Sequence, residues 1–110
     1  MSSAGQLPER SIRQLRGSPL APYVDAFARY LDEREYAAQT TTTYFGCLAH
    51  FGRWMERQQL PVQSLGEERV AEFLNNHLPR CDCAAPVVRA RAELRAALGH
   101  LLIVLRTNAA

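Results

Sequence analysis

The sequence has no lysine, so every one of its 13 basic side chains is an arginine. Nowhere do ~18 apolar residues run together, which excludes a transmembrane helix, and the N-terminus has no apolar stretch of the signal-peptide kind, which argues against export. Cysteine is scarce and odd in number, three in 110 residues. That suits a reducing compartment better than a disulfide framework and places the protein in the cytoplasm. A formal net charge of only +2 excludes a polybasic character overall. Strand-like alternation and internal repeats are both missing. What is present is apolar material, 47% of residues, enough for one core that needs neither disulfides nor a metal.

Helical periodicity dominates. Residues 1–21, with Ser2, Ser3, Gly5, Pro8, Gly17, Ser18 and Pro19, read as a flexible arm carrying Arg10, Arg13 and Arg16 and at most a short helical turn around Arg10 to Leu15. The first helix starts after Pro22, where a proline fits the first turn, and places Val24, Phe27, Tyr30 and Leu31 on one stripe. A second covers about residues 38–59: Tyr44, Leu48, Phe51 and Met55 fall at i, i+4, i+7 and i+11, and Thr40 to Thr43 lie in its first turn, where hydroxyls can meet free N–H groups or a ligand. Ser64-Leu65-Gly66-Glu67 has the form of a capping box for a third helix, with Val70, Phe73, Leu74 and His77 facing inward and Pro79 ending it. The fourth follows Pro86 and runs to about Arg106 on a stripe of Leu94, Leu98, Leu101 and Leu105. The fold class is therefore all-α, a single-domain bundle of four main helices over residues 22–106, with 107–110 as a tail or the start of a linker.

In their order and spacing these segments resemble the N-terminal, SAM-like core-binding domain of the tyrosine recombinase (phage integrase) family. Pro22 to Phe27 with Tyr30-Leu31 is similar to the family's opening helix. Tyr36-Ala37-Ala38-Gln39-Thr40 stands where the family often turns into its second helix through Ser-Pro-x-Thr. Tyr44, Leu48, Phe51 and Trp54-Met55 match the apolar positions that follow, Leu60-Pro61 with Ser64 to Leu74 matches the third helix, and Leu94 to Leu105 the fourth. The resemblance implies one half of a clamp around double-stranded DNA in site-specific DNA recombination and integration, with possible self-association on DNA. Catalytic residues would lie in a separate domain beyond Ala110, so this chain is expected not to be an enzyme by itself.

On that basis Thr40, Thr41, Arg91 and Arg95 are the candidate phosphate contacts, with Gln39 and Arg89 as candidates for base edges, since Gln pairs with adenine and Arg with guanine in the major groove. Without the resemblance, these arginines of the fourth helix beside Glu93, like Arg53 and Arg57 of the second beside Glu56, would read as a solvated, salt-bridged face. His50-Phe51-Gly52-Arg53 spells the family's catalytic His-x-x-Arg, but it falls within the apolar stripe of a helix, and the tyrosines all precede it. The alternative function is a helical protein–protein interaction module, which would require an exposed apolar face.

His77, Cys81 and Cys83 carry zinc-type donors. Their Cys-x-Cys spacing is tighter than that of most zinc fingers, and His100, His50 or Cys47 could complete the set only through the fold. The sequence is therefore read as a loop with two free thiols and a histidine on a helix face, with no metal, cofactor, membrane or small-molecule partner expected.

Overall fold

A computed structural model describes residues 8–81, 88 and 90–108. Five helices form it: α1 (Glu9–Arg16), α2 (Val24–Glu33), α3 (Ala38–Arg57), α4 (Glu67–Glu72) and α5 (Arg91–Asn108). Short 3-10 turns at Ala21–Tyr23 and Val62–Ser64 lead into α2 and towards α4. No strand occurs among the described residues, so the all-α expectation holds. None of these helices is long and apolar enough to cross a membrane.

The anticipated stripes become the core. Val24, Phe27, Tyr30 and Leu31 of α2, Leu48, Phe51 and Met55 of α3, and Leu94, Leu98 and Leu101 of α5 are all buried. Phe27 meets Phe45 edge-on at 5.3 Å, tying α2 to α3. Helices α2 and α3 both stop in a left-handed residue that is not glycine, Glu35 (φ 57°) and Gln59 (φ 56°). The following N–H reaches back five residues in each case, Tyr36 to the Leu31 carbonyl (3.3 Å) and Leu60 to that of Met55 (3.0 Å). These are Schellman closures, in which orphan carbonyls are satisfied and an apolar residue folds back on the helix.

Two expectations are corrected. From Glu9 onward the supposed flexible arm is helix α1, docked on α3, with Leu15 wholly buried and Ile12 packed beside it. Small residues on α3 admit it and the turn that follows: a Cβ at Gly46 would lie 4.0 Å from Ser11 Oγ of α1, and one at Gly52 2.9 Å from Ser18 Oγ. The turn after α1 is held by the Ser18 hydroxyl, which donates to the Leu15 carbonyl (2.8 Å) and accepts from the Leu20 N–H (3.2 Å). The capping box at Ser64 does not form either. Ser64 belongs to the preceding 3-10 turn, its hydroxyl donates to the Pro61 carbonyl (2.8 Å), and Gly66 is the residue that opens α4. After one and a half turns α4 widens into a π turn, Phe73–His77, and then tightens into Leu78–Arg80.

Candidate functional site

The α3 N-terminus is open. Ala37 offers no side-chain cap, and the first N–H to find an acceptor there is that of Thr41, on the Ala37 carbonyl (2.9 Å). Gln39 is exposed, with Thr40 and Thr41 half-buried behind it. A helix start of this kind carries about half a positive charge and free N–H groups. Gln39 and Thr40 line a groove with Thr43, Tyr44 and, from α5, Glu93.

Arg91 and Arg95 occupy the other flank of α5. Two residues along a helix is a 200° turn, so Glu93 and these arginines point to opposite sides. Their groove, about 330 Å³, is walled by Glu67, Val70, Leu74 and Asn75. The structure thus divides the expected contact set between two grooves. Arg91 has an internal task as well: Nη1 donates to the Leu74 carbonyl and Nη2 to Asn75 Oδ1, both at 2.8 Å, joining α5 to the π turn. Arg95, one turn on, is exposed. Arg89 and Cys83 lie outside the described residues.

The fold does bring together a group of donors that are far apart in the chain. His50 sits on the inner face of α3, 1% exposed. Its Nδ1 lies 2.8 Å from the Val88 carbonyl. A carbonyl can only accept, so Nδ1 carries a proton, and in the neutral ring the lone pair then lies at Nε2. That Nε2 is 3.4 Å from His77 Nε2 and 3.3 Å from Cys81 Sγ. The three donor atoms lie within 4.8 Å of one another. Aromatic rings frame them: Phe73 meets His50 edge-on at 5.1 Å and stacks on His77 at 5.1 Å, both Phe73 and His77 being carried by the π turn. Of the sequence candidates, His77 and Cys81 therefore do come together. Their partner is His50, which a short-range motif could not reveal because it lies 27 and 31 residues away.

A second polar cluster closes the other end of the α3–α5 contact. His100 bonds Tyr30 through Nδ1 (2.7 Å) and Tyr36 through Nε2 (3.1 Å), while Tyr44 packs on its ring. Burial, and then the nearby Arg34 guanidinium, lowers the His100 pKa. Burial also raises that of Tyr44, helped by Tyr36, Cys47 and Glu93. Neutral His100 can accept from one tyrosine and donate to the other, so the cluster is internally satisfied and reads as a structural joint. Comparisons with protein-family models, curated proteins and solved structures find no match.

Proposed function

We propose that this chain binds duplex DNA as a core-binding domain of the tyrosine recombinase type, acting through the first turn of α3 and the outward face of α5. The observation that carries the reading is the uncapped start of a 20-residue helix, with Gln39 exposed and two threonine hydroxyls beside it. Phosphates favour such a helix end, where N–H groups point outward and the dipole is positive. On α5 the outward residues Ala92, Ala96 and Gly99 are small and exposed, which lets a nucleic-acid backbone approach closely, and Arg95 stands beside them. A protein-interaction module would need an apolar face, and among the described residues Ile103, 43% exposed, is the exposed large hydrophobic side chain.

The test is binding of the chain to a labelled generic duplex over a salt series. Each neutralised phosphate contributes about −0.9 to the slope of log affinity against log salt. Arg95→Ala is expected to reduce that slope by about one at unchanged stability, and Glu93→Gln to strengthen binding by removing a carboxylate from the Gln39 groove. Arg91→Ala is expected to destabilise the fold, since it abandons the bonds to Leu74 and Asn75. Affinity that does not vary with salt, or no binding at low salt, would refute the reading.

A further inference from the structure

We propose that His50, His77 and Cys81 bind one Zn²⁺ ion, with a water molecule as the fourth ligand, and that the ion acts as a structural clasp between α3 and the end of α4. The two separations that involve His50 are those of a tetrahedral zinc edge, and all three donor atoms lie within 4.8 Å of one another. With Zn–N near 2.0–2.1 Å and Zn–S near 2.3 Å, two nitrogens on one ion sit about 3.4 Å apart, and a nitrogen and a sulfur about 3.5 Å apart. The observed values are 3.4 Å for His50–His77 and 3.3 Å for His50–Cys81. Imidazole and thiolate together suit zinc better than magnesium or calcium, which take oxygen.

His50 has the orientation of a metal ligand. Metal-binding histidines commonly donate the other ring N–H to a carbonyl or carboxylate, which fixes the tautomer and leaves the ligating nitrogen free of a proton. The Val88 carbonyl holds His50 in this way. The three side chains come from two separate parts of the chain, 27 to 31 residues apart, and converge on one point. His50 is held in the core, whereas His77 and Cys81 are half-buried.

The clasp also has a mechanical place. Helix α4 has only six residues and buries none of them fully; the first buried side chains, Phe73 and Leu74, belong to the π turn that follows. A metal closing the end of that turn supplies binding energy where apolar burial is thin. Binding releases the thiol proton of Cys81 to solvent, and both imidazoles bind in the neutral form.

The test uses the whole chain, stripped with a chelator under reducing conditions and titrated first with Co²⁺ and then with Zn²⁺. One equivalent of Co²⁺ is expected to give the strong visible bands of a tetrahedral site and a near-ultraviolet thiolate-to-metal band, both abolished by one equivalent of Zn²⁺. Zinc is expected to raise the melting temperature of the stripped protein. Cys81→Ser should remove the thiolate band, and His77→Gln should weaken binding at least ~100-fold, given that loss of an outer-shell partner alone costs 10–100-fold. Both variants retain the buried His50, so their helical circular dichroism should be unchanged; Cys47→Ala, outside the cluster, should bind as the parent does. Absence of a stoichiometric tetrahedral spectrum would overturn the proposal and leave a hydrogen-bonded His–His–Cys triad. So would a thiolate band that survives in Cys81→Ser. These readouts are spectroscopic and independent of DNA binding.

Discussion

Gly52 and Gly99 are both helical glycines, yet alanine should act on them in opposite directions. Alanine is favoured over glycine inside a helix by about 0.8–1.0 kcal/mol, and both variants receive that gain. At Gly99 a new Cβ meets nothing within 4 Å, so the gain should stand alone. A Cβ on Gly52 would lie 2.9 Å from Ser18 Oγ, 3.2 Å from Ser18 Cβ and 3.4 Å from Leu20 Cδ1. Ser18 cannot swing aside cheaply, because its hydroxyl is bonded to the Leu15 carbonyl and to the Leu20 N–H. Overpacking of this kind costs about 1–3 kcal/mol. The difference between the two variants cancels propensity and isolates that packing term. At about 4 °C per kcal/mol for a domain of this size, Gly99→Ala should melt about 4 °C higher than the parent and Gly52→Ala about 4 °C lower. Calorimetry with matching urea titrations would measure both. Ser18→Ala should restore part of the loss in the Gly52→Ala background by removing the closest atom. Equal upward shifts in the two variants would show that the turn after α1 does not rest on α3, and the docking of α1 would fall with it.

Three further outcomes follow from burial. Leu15→Ala should cost 2–5 kcal/mol, as truncation of a fully buried leucine does, read as a shift in the urea midpoint; a change under ~0.5 kcal/mol would mean that α1 contributes nothing. Burial, with Glu93 adding to it, pushes the Cys47 thiol up to about 12, so in native protein this cysteine should resist a thiol reagent at neutral pH and react only after guanidinium unfolding. His100 holds a proton less tightly when folded than its ordinary 6.5, so the unfolded chain takes up more protons as pH falls through that value. The stability that neutral His100 contributes should therefore be complete above pH 6.5 and decline below it until the folded ring is protonated too. The groups facing it, Arg34, Tyr30, Tyr36 and Tyr44, supply no carboxylate to reverse the sign. His100→Gln should flatten this part of the melting profile relative to the parent, and an unchanged slope would refute the assignment.

Long stripes were legible in the sequence because α2, α3 and α5 each repeat large apolar residues at helical spacing. Leu48, Phe51 and Met55 were placed correctly for that reason, as were Leu94, Leu98 and Leu101. Helix α1 was not legible. Its inward positions amount to Ile12 and Leu15 among four polar or basic neighbours, and the surface that receives it is made by glycines on another helix. Propensity cannot register that tertiary fit. The Ser64 box failed through register: a 3-10 turn after Pro61 absorbed the serine before α4 began. In the candidate metal site, spacing alone found His77 and Cys81 but could only name His50 among several remote possibilities, because convergence on α3 depends on how α4 ends. Arg91 and Arg95 look equivalent as an i, i+4 pair and both are exposed, and only the hydrogen bonds of Arg91 to Leu74 and Asn75 set the anchor apart.

The position of His50 has a consequence for how this fold can vary. Its ring meets Cys81 on one side and the Val88 carbonyl on the other, so the two ends of the stretch between them are pinned to a single side chain. Lengthening a chain segment whose ends are already held together is cheap, about 0.6 kcal/mol for each doubling. The closure of this stretch is therefore set by how well His50 holds its two ends, and a substitution at His50 would be felt at both. One core histidine thus does for this connection what a cross-link does for a loop: it holds the two feet together.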